Sequence, residues 1–115
     1  MLPRAWKLRI RDILDSMNHI KSFIAGMNQE QFRSDKKTYL AIVRCLEIIG
    51  EASHHVPDTI KNKYADIPWR KLKDFRNVLA HQYFGVDDEI VWKTIHDDLL
   101  PLGSIFEKIM SSERE

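Results

Sequence analysis

Between Lys71 and Phe84 the chain carries Asp74, Asn77 and His81 at steps of three and four, with Arg76 beside them and Tyr83 just beyond. On a helix turning about 100° per residue, the first three share one face, and Leu72, Phe75 and Leu79 take the other. Arg76 falls on the flank, about 140° from His81 and roughly 7.5 Å along the axis. These residue types suit the cutting of RNA by its own ribose 2′-hydroxyl. That reaction needs a proton acceptor, a proton donor for the leaving oxygen, and positive charge on the phosphate. Histidine titrates near neutrality and serves either proton role. Arginine stays charged and matches phosphate geometry. Asn77 is placed to orient His81, and Tyr83 adds a phenol able to bind substrate or carry a modification. A second copy of the helix across a two-fold axis would set two arginines and two histidines around one groove. The same residues also fit a solvated polar face, with His81 favoured by a helix C-terminus.

Such side chains need a scaffold, and the apolar spacing supplies one. Trp6, Ile10, Ile13, Met17, Ile20, Ile24 and Met27 alternate steps of four and three, a bundle-type seam. Asn28 and Gln31 have the spacing of a capping box. Ser34 and Asp35 open a second helix with the seam Tyr39, Ile42, Leu46, Ile49 and Val56, flanked by Cys45 and Ala52. A polar stripe of Arg44, Glu47, Glu51 and His54 runs along it, and Pro57 ends it near His55. Pro68, with Asp66 ahead, starts a third helix through Trp69, Leu72, Phe75 and Leu79, which Gly85 stops. Asp87, Asp88 and Glu89 favour the start of a fourth. Its seam is Val91, Ile95, Leu99, Leu102, Phe106 and Ile109. Pro101 and Gly103 should kink it, and Ser104 with Glu107 could cap a restart. Four amphipathic helices with short connections imply an all-α, antiparallel four-helix bundle with short extra helical turns.

The chain has 115 residues, enough for one domain spanning residues 1–115. Its 18 Lys and Arg against 17 Asp and Glu leave a net charge of +1, which excludes wholesale electrostatic binding of nucleic acid but not a local basic patch. Such a patch exists: Lys61, Lys63, Arg70, Lys71, Lys73 and Arg76 face only Asp58, Asp66 and Asp74 within residues 58–76. Arg70, Lys71 and Lys73 are the candidate RNA contacts, an ordinary charged surface being the competing reading. Trp69 could stack a base or simply pack. Glu51-x-x-His54 has the spacing found in carboxylate-bridged metal bundles. It occurs once and finds no matching Glu elsewhere, so no metal or other cofactor is expected. Glu47 and Glu51 instead suit salt bridges to Arg44 or Arg76, and Gly50 suits close helix packing. The single Cys45 points to a reducing compartment and a core role. No segment has the apolar length for a membrane span, and the basic start lacks the apolar block of a signal peptide. A cytoplasmic protein is the expectation.

Arg76-Asn77-x-x-x-His81-x-Tyr83 resembles the R-N-x-x-x-H-x-Y signature of HepT-type proteins in the HEPN superfamily. Phe32, Asp35, Ala41 and Leu46-x-x-Ile49-Gly50-Glu51-Ala52 resemble the family's second-helix block. Ile67-Pro68-Trp69 and Tyr83-Phe84-Gly85-Val86-Asp87 flank the motif as they do in that family. The resemblance covers roughly residues 8–100. Asp74-Phe75 departs from it, where relatives often carry a small residue and Met, and adds a negative charge near the phosphate site. The resemblance implies a homodimer of HEPN-type bundles with Arg76 and His81 lining a cleft at the dimer interface. It implies a metal-independent ribonuclease toxin, paired with an MntA-type nucleotidyltransferase that neutralises it by moving AMP onto a tyrosine. Carried over, Arg76 and His81 are catalytic, Asn77 supports them, and Tyr83 accepts AMP; Glu51, by a bridge to Arg76 or by holding the cleft in shape, is a further candidate support. The bulk and negative charge of an adenylate would repel RNA. A competing expectation is a helical dimer without catalysis that binds and regulates the nucleotidyltransferase.

Overall fold

The computed structural model describes residues 5–77 and 88–114. Helix α1 runs Trp6–Ile24 and buries Ile10, Ile13, Leu14, Met17, Ile20 and Ile24. Gly26 follows with φ +77°, a left-handed turn that glycine makes without strain. The expected capping box then forms in full: Gln31 N–H donates to Asn28 Oδ1 at 2.8 Å, and Asn28 N–H donates to Gln31 Oε1 at 2.9 Å. It starts the short α2, Gln29–Ser34, whose Phe32 is fully buried. Asp35 begins α3, Lys36–His54, accepting from the Thr38 N–H at 3.0 Å and the Thr38 hydroxyl at 2.8 Å. Those bonds, the backbone one first, hold the Asp35 carboxyl below the usual carboxylate range.

Helix α3 buries Ile42, Cys45, Leu46, Ile49 and Ala52 and packs against α1. Burial pushes the Cys45 thiol up, as suits a core side chain and not a nucleophile. Pro57 follows α3 and leads into α4, Asp58–Lys63. Pro68 then precedes α5, Trp69–Asp74, which packs on α3. Trp69 is a packing residue: its ring meets Phe106 edge-on at 5.8 Å, and its indole N–H donates to the Tyr64 carbonyl at 3.1 Å.

Helix α6, Asp88–Lys93, continues as one π-helical turn over Thr94–Leu99 and a 3-10 turn over Leu100–Leu102 into α7, Gly103–Ser112. Pro101 has no N–H and its ring crowds the carbonyl four residues back, so an ordinary helix cannot pass through it. The backbone widens instead, and Leu100 N–H reaches the Ile95 carbonyl. The expected break is thus a change of pitch that keeps Ile95, Leu99, Phe106 and Ile109 fully buried. The expected cap by Ser104 and Glu107 does not form. Gly103 N–H already bonds the Leu100 carbonyl, so α7 grows from the preceding turn and has no fresh N-terminus to cap.

Helix α1 packs against both α3 and α7, and α2 against α6, where Phe32 and Trp92 lie 5.2 Å apart. The described residues form an all-α fold without strands. None of their helices is long and apolar enough to cross a membrane. Glu113 closes the structure. Its carboxylate accepts from the Tyr64 hydroxyl at 2.6 Å and Lys63 Nζ at 2.7 Å, and its carbonyl accepts from Lys7 Nζ at 2.9 Å. The two cationic and phenolic donors hold the Glu113 carboxyl below its usual range, Lys63 contributing most.

Candidate active site

The site is built on the contact between α3 and the end of α5. The α-helix stops at Asp74, and Phe75–Asn77 tighten into a 3-10 turn. This corrects the helical wheel: past Asp74 the chain advances about 120° per residue, so the α-helical angles do not carry over to Arg76 and Asn77. Phe75 is buried and anchors the turn, Arg76 is half-buried, and Asn77 is exposed. His81 and Tyr83 lie outside the described residues, as do Leu79, Gly85 and Asp87.

Gly50 decides how closely this turn approaches. A Cβ at residue 50 would stand 2.6 Å from the Arg76 backbone nitrogen, 2.8 Å from Arg76 Cγ and 3.1 Å from the Leu72 carbonyl oxygen. No side chain fits there, so the expected close packing at Gly50 is real and its occupant is Arg76.

Arg76 emerges next to Glu51, one residue along α3. Arg76 Nη1 donates to Glu51 Oε2 at 3.5 Å, and His55 Nε2 donates to Glu51 Oε1 at 2.9 Å. The hydrogen bond from His55, followed by the charges of His55 and Arg76, holds the Glu51 carboxyl below its usual range. The His54 and His55 rings meet edge-on at 5.1 Å. Partial desolvation, then the cations Arg76 and Lys73 and the neighbouring His55, push His54 below the usual imidazole range. Three candidate supports thus cluster beside Arg76. The metal-type spacing from Glu51 points to His54 and passes over His55. The signal for it was present: Glu51 and His55 are four apart, the spacing at which helical side chains meet. Among the described residues no group of His, Cys, Asp and Glu could hold a metal ion.

Beside this cluster, α1 and α3 enclose a hollow of about 380 Å³ with Arg76 at its edge. Arg9 and Asp12 line it from α1, and Arg44, Glu47 and Ile48 from α3. Arg44 and Glu47 are ion-paired, as the spacing suggested. The basic stretch disperses. Arg70 is exposed, Lys73 is half-buried, and Lys71 Nζ is paired with Asp98 Oδ2 at 2.7 Å. Lys63 belongs to the Glu113 contact. Three arginines and three carboxylates thus line the hollow, and Arg76, only partly engaged by Glu51, is the cation there best placed to meet an anionic group.

Comparison with known proteins gives a match to the family model described as ribonuclease HepT-like over residues 13–109. The chain is 41% identical over 108 residues to the "Probable ribonuclease HepT" of Thermococcus cleftensis, covering 94% of this chain and 98% of that protein. Two candidate RNases of Methanocaldococcus jannaschii are also similar. One is 42% identical over 110 residues, 96% of this chain and 91% of that protein. The other is 40% identical over 115 residues, 100% of this chain and 99% of that protein. No solved structure matches the chain.

Proposed function

The chain belongs to the HepT-like ribonuclease family, and from that premise we propose that it is a metal-independent RNA endonuclease toxin that works as a homodimer in the cytoplasm. His81 takes the proton of a ribose 2′-hydroxyl, whose oxygen attacks the adjacent phosphorus. The bond from phosphorus to the 5′-oxygen breaks, the departing oxygen gains a proton from an imidazole, and a 2′,3′-cyclic phosphate remains. Arg76 binds the phosphate and stabilises the charge that builds on it. Asn77 orients His81, and Glu51 steadies Arg76. Paired protomers pool these groups in one cleft. Tyr83 accepts AMP from an MntA-type nucleotidyltransferase, which closes the cleft to RNA.

The observation that carries this reading is the seating of Arg76. Its backbone is locked onto Gly50 while its side chain stays one-third exposed beside a carboxylate, available to a second anion. The test is incubation of purified protein with RNA in the presence of a chelator, beside the His81→Ala variant. Parent protein should cut RNA and leave cyclic phosphate ends, and the variant should fold and fail to cut. A folded parent that leaves RNA intact would favour the non-catalytic partner of the nucleotidyltransferase.

A further inference from the structure

Glu51 divides its carboxylate unevenly. One oxygen makes a full hydrogen bond to His55 at 2.9 Å, and the other meets a single Arg76 nitrogen at 3.5 Å, the outer limit for such a bond. An unrestrained carboxylate beside a guanidinium prefers the two-bond fork at about 2.7–2.9 Å. Something prevents that closure here, and the nearest cause is His55, one helical turn along α3 and bonded to the other oxygen. The start of the Arg76 side chain is fixed, because its backbone nitrogen and Cγ rest directly on Gly50 of α3.

We propose that His55 is a positioning residue for Arg76: it tethers Glu51 in a half-open contact, so the guanidinium is aimed by the carboxylate yet remains free to take an RNA phosphate. This rests on the ribonuclease reading and adds to it a residue that never touches the substrate. Without His55, Glu51 closes on Arg76 and competes with phosphate. Without the charge of Glu51, the tether has nothing to restrain.

The experiment is a double-mutant cycle on the full chain. Affinity is read with a fluorescent single-stranded 2′-O-methyl RNA of mixed sequence, which keeps its phosphates but cannot be cut. The maximal rate is read with the cleavable RNA. His55→Ala should weaken binding about two- to fivefold, the scale of an exposed ion pair, with the maximal rate little changed. His55→Gln, which keeps a donor, should recover most of the loss. Adding Glu51→Gln to His55→Ala should recover part of the lost affinity, because the competing charge is gone although its aim is lost with it. Unchanged binding in a folded His55→Ala, or a double variant no better than His55→Ala alone, overturns the proposal while leaving the ribonuclease reading intact. A folded parent that neither binds nor cuts RNA overturns both.

Discussion

Gly50 and Arg76 touch backbone to backbone, so closely that a methyl group at residue 50 would lie 2.6 Å from the Arg76 nitrogen. Two effects of Gly50→Ala therefore oppose each other. Alanine favours the helix interior by about 1 kcal/mol over glycine. Forcing apart packed backbone costs about 1–3 kcal/mol. Packing should win, because two of the three obstructing atoms, the Arg76 nitrogen and the Leu72 carbonyl oxygen, are backbone and cannot swing aside. The variant should be less stable in chemical denaturation, and RNA cleavage should fall as Arg76 is displaced. A stabilised variant would show that the turn moves freely.

Arg76→Lys keeps the charge and discards the planar fork. With Gly50 and Glu51 fixing where the side chain passes α3, an ammonium cannot reproduce both its aim and its paired donors. Maximal cleavage should drop about a hundredfold, the scale for losing one transition-state donor, with the melting temperature near the parent's. A lysine variant as fast as the parent would mean that charge alone suffices.

Lys71 reaches RNA only by leaving Asp98, 2.7 Å away. Asp98→Asn removes that competitor. Affinity for RNA should rise about two- to fivefold at low salt and converge with the parent's at high salt. Identical titrations at both salt concentrations would exclude Lys71 from the RNA path.

Stability should decline toward acid in two stages. His54 is held below the ordinary imidazole range, so the unfolded chain takes up that proton first. Stability is then lost as pH falls below about 6.5. Asp35, Glu51 and Glu113 are held below the ordinary carboxylate range, so their contributions are present above it and vanish as pH falls through their folded values. Thermal melts across pH should show a shallow loss below 6.5, abolished by His54→Gln, and a steeper one in acid, reduced by Glu113→Gln. A flat profile would contradict both assignments.

Much of this fold is readable from the chain because the forces that make it are local. The Asn28–Gln31 box, the Asp35 cap and the stop at Pro57 each depend on residues within a turn of one another. The seam from Ile10 to Ile24 needs only helical periodicity. The site was partly legible for the same reason: Glu51 and Gly50 share a helix with His55, and their spacing is visible. Which partner Glu51 would take was not. Metal spacing to His54, a bridge to Arg76 and a bond to His55 all fit the sequence. The choice depends on how α5 lies across α3. A kink at Pro101 is legible, but its form as a change of pitch, like the clamp on Glu113, is not, for a related reason. One is the core's answer to a missing N–H, and the other joins residues 49 and 106 positions apart.

Sequence alone determined that this is an all-helical chain with an arginine, an asparagine and a histidine in one short stretch, since residue type and period need no partner to be read. Tertiary packing alone decided that Arg76 rests on a glycine, beside a carboxylate restrained by a neighbouring imidazole. Distances between helices follow from the whole core coming together, and no local rule contains them.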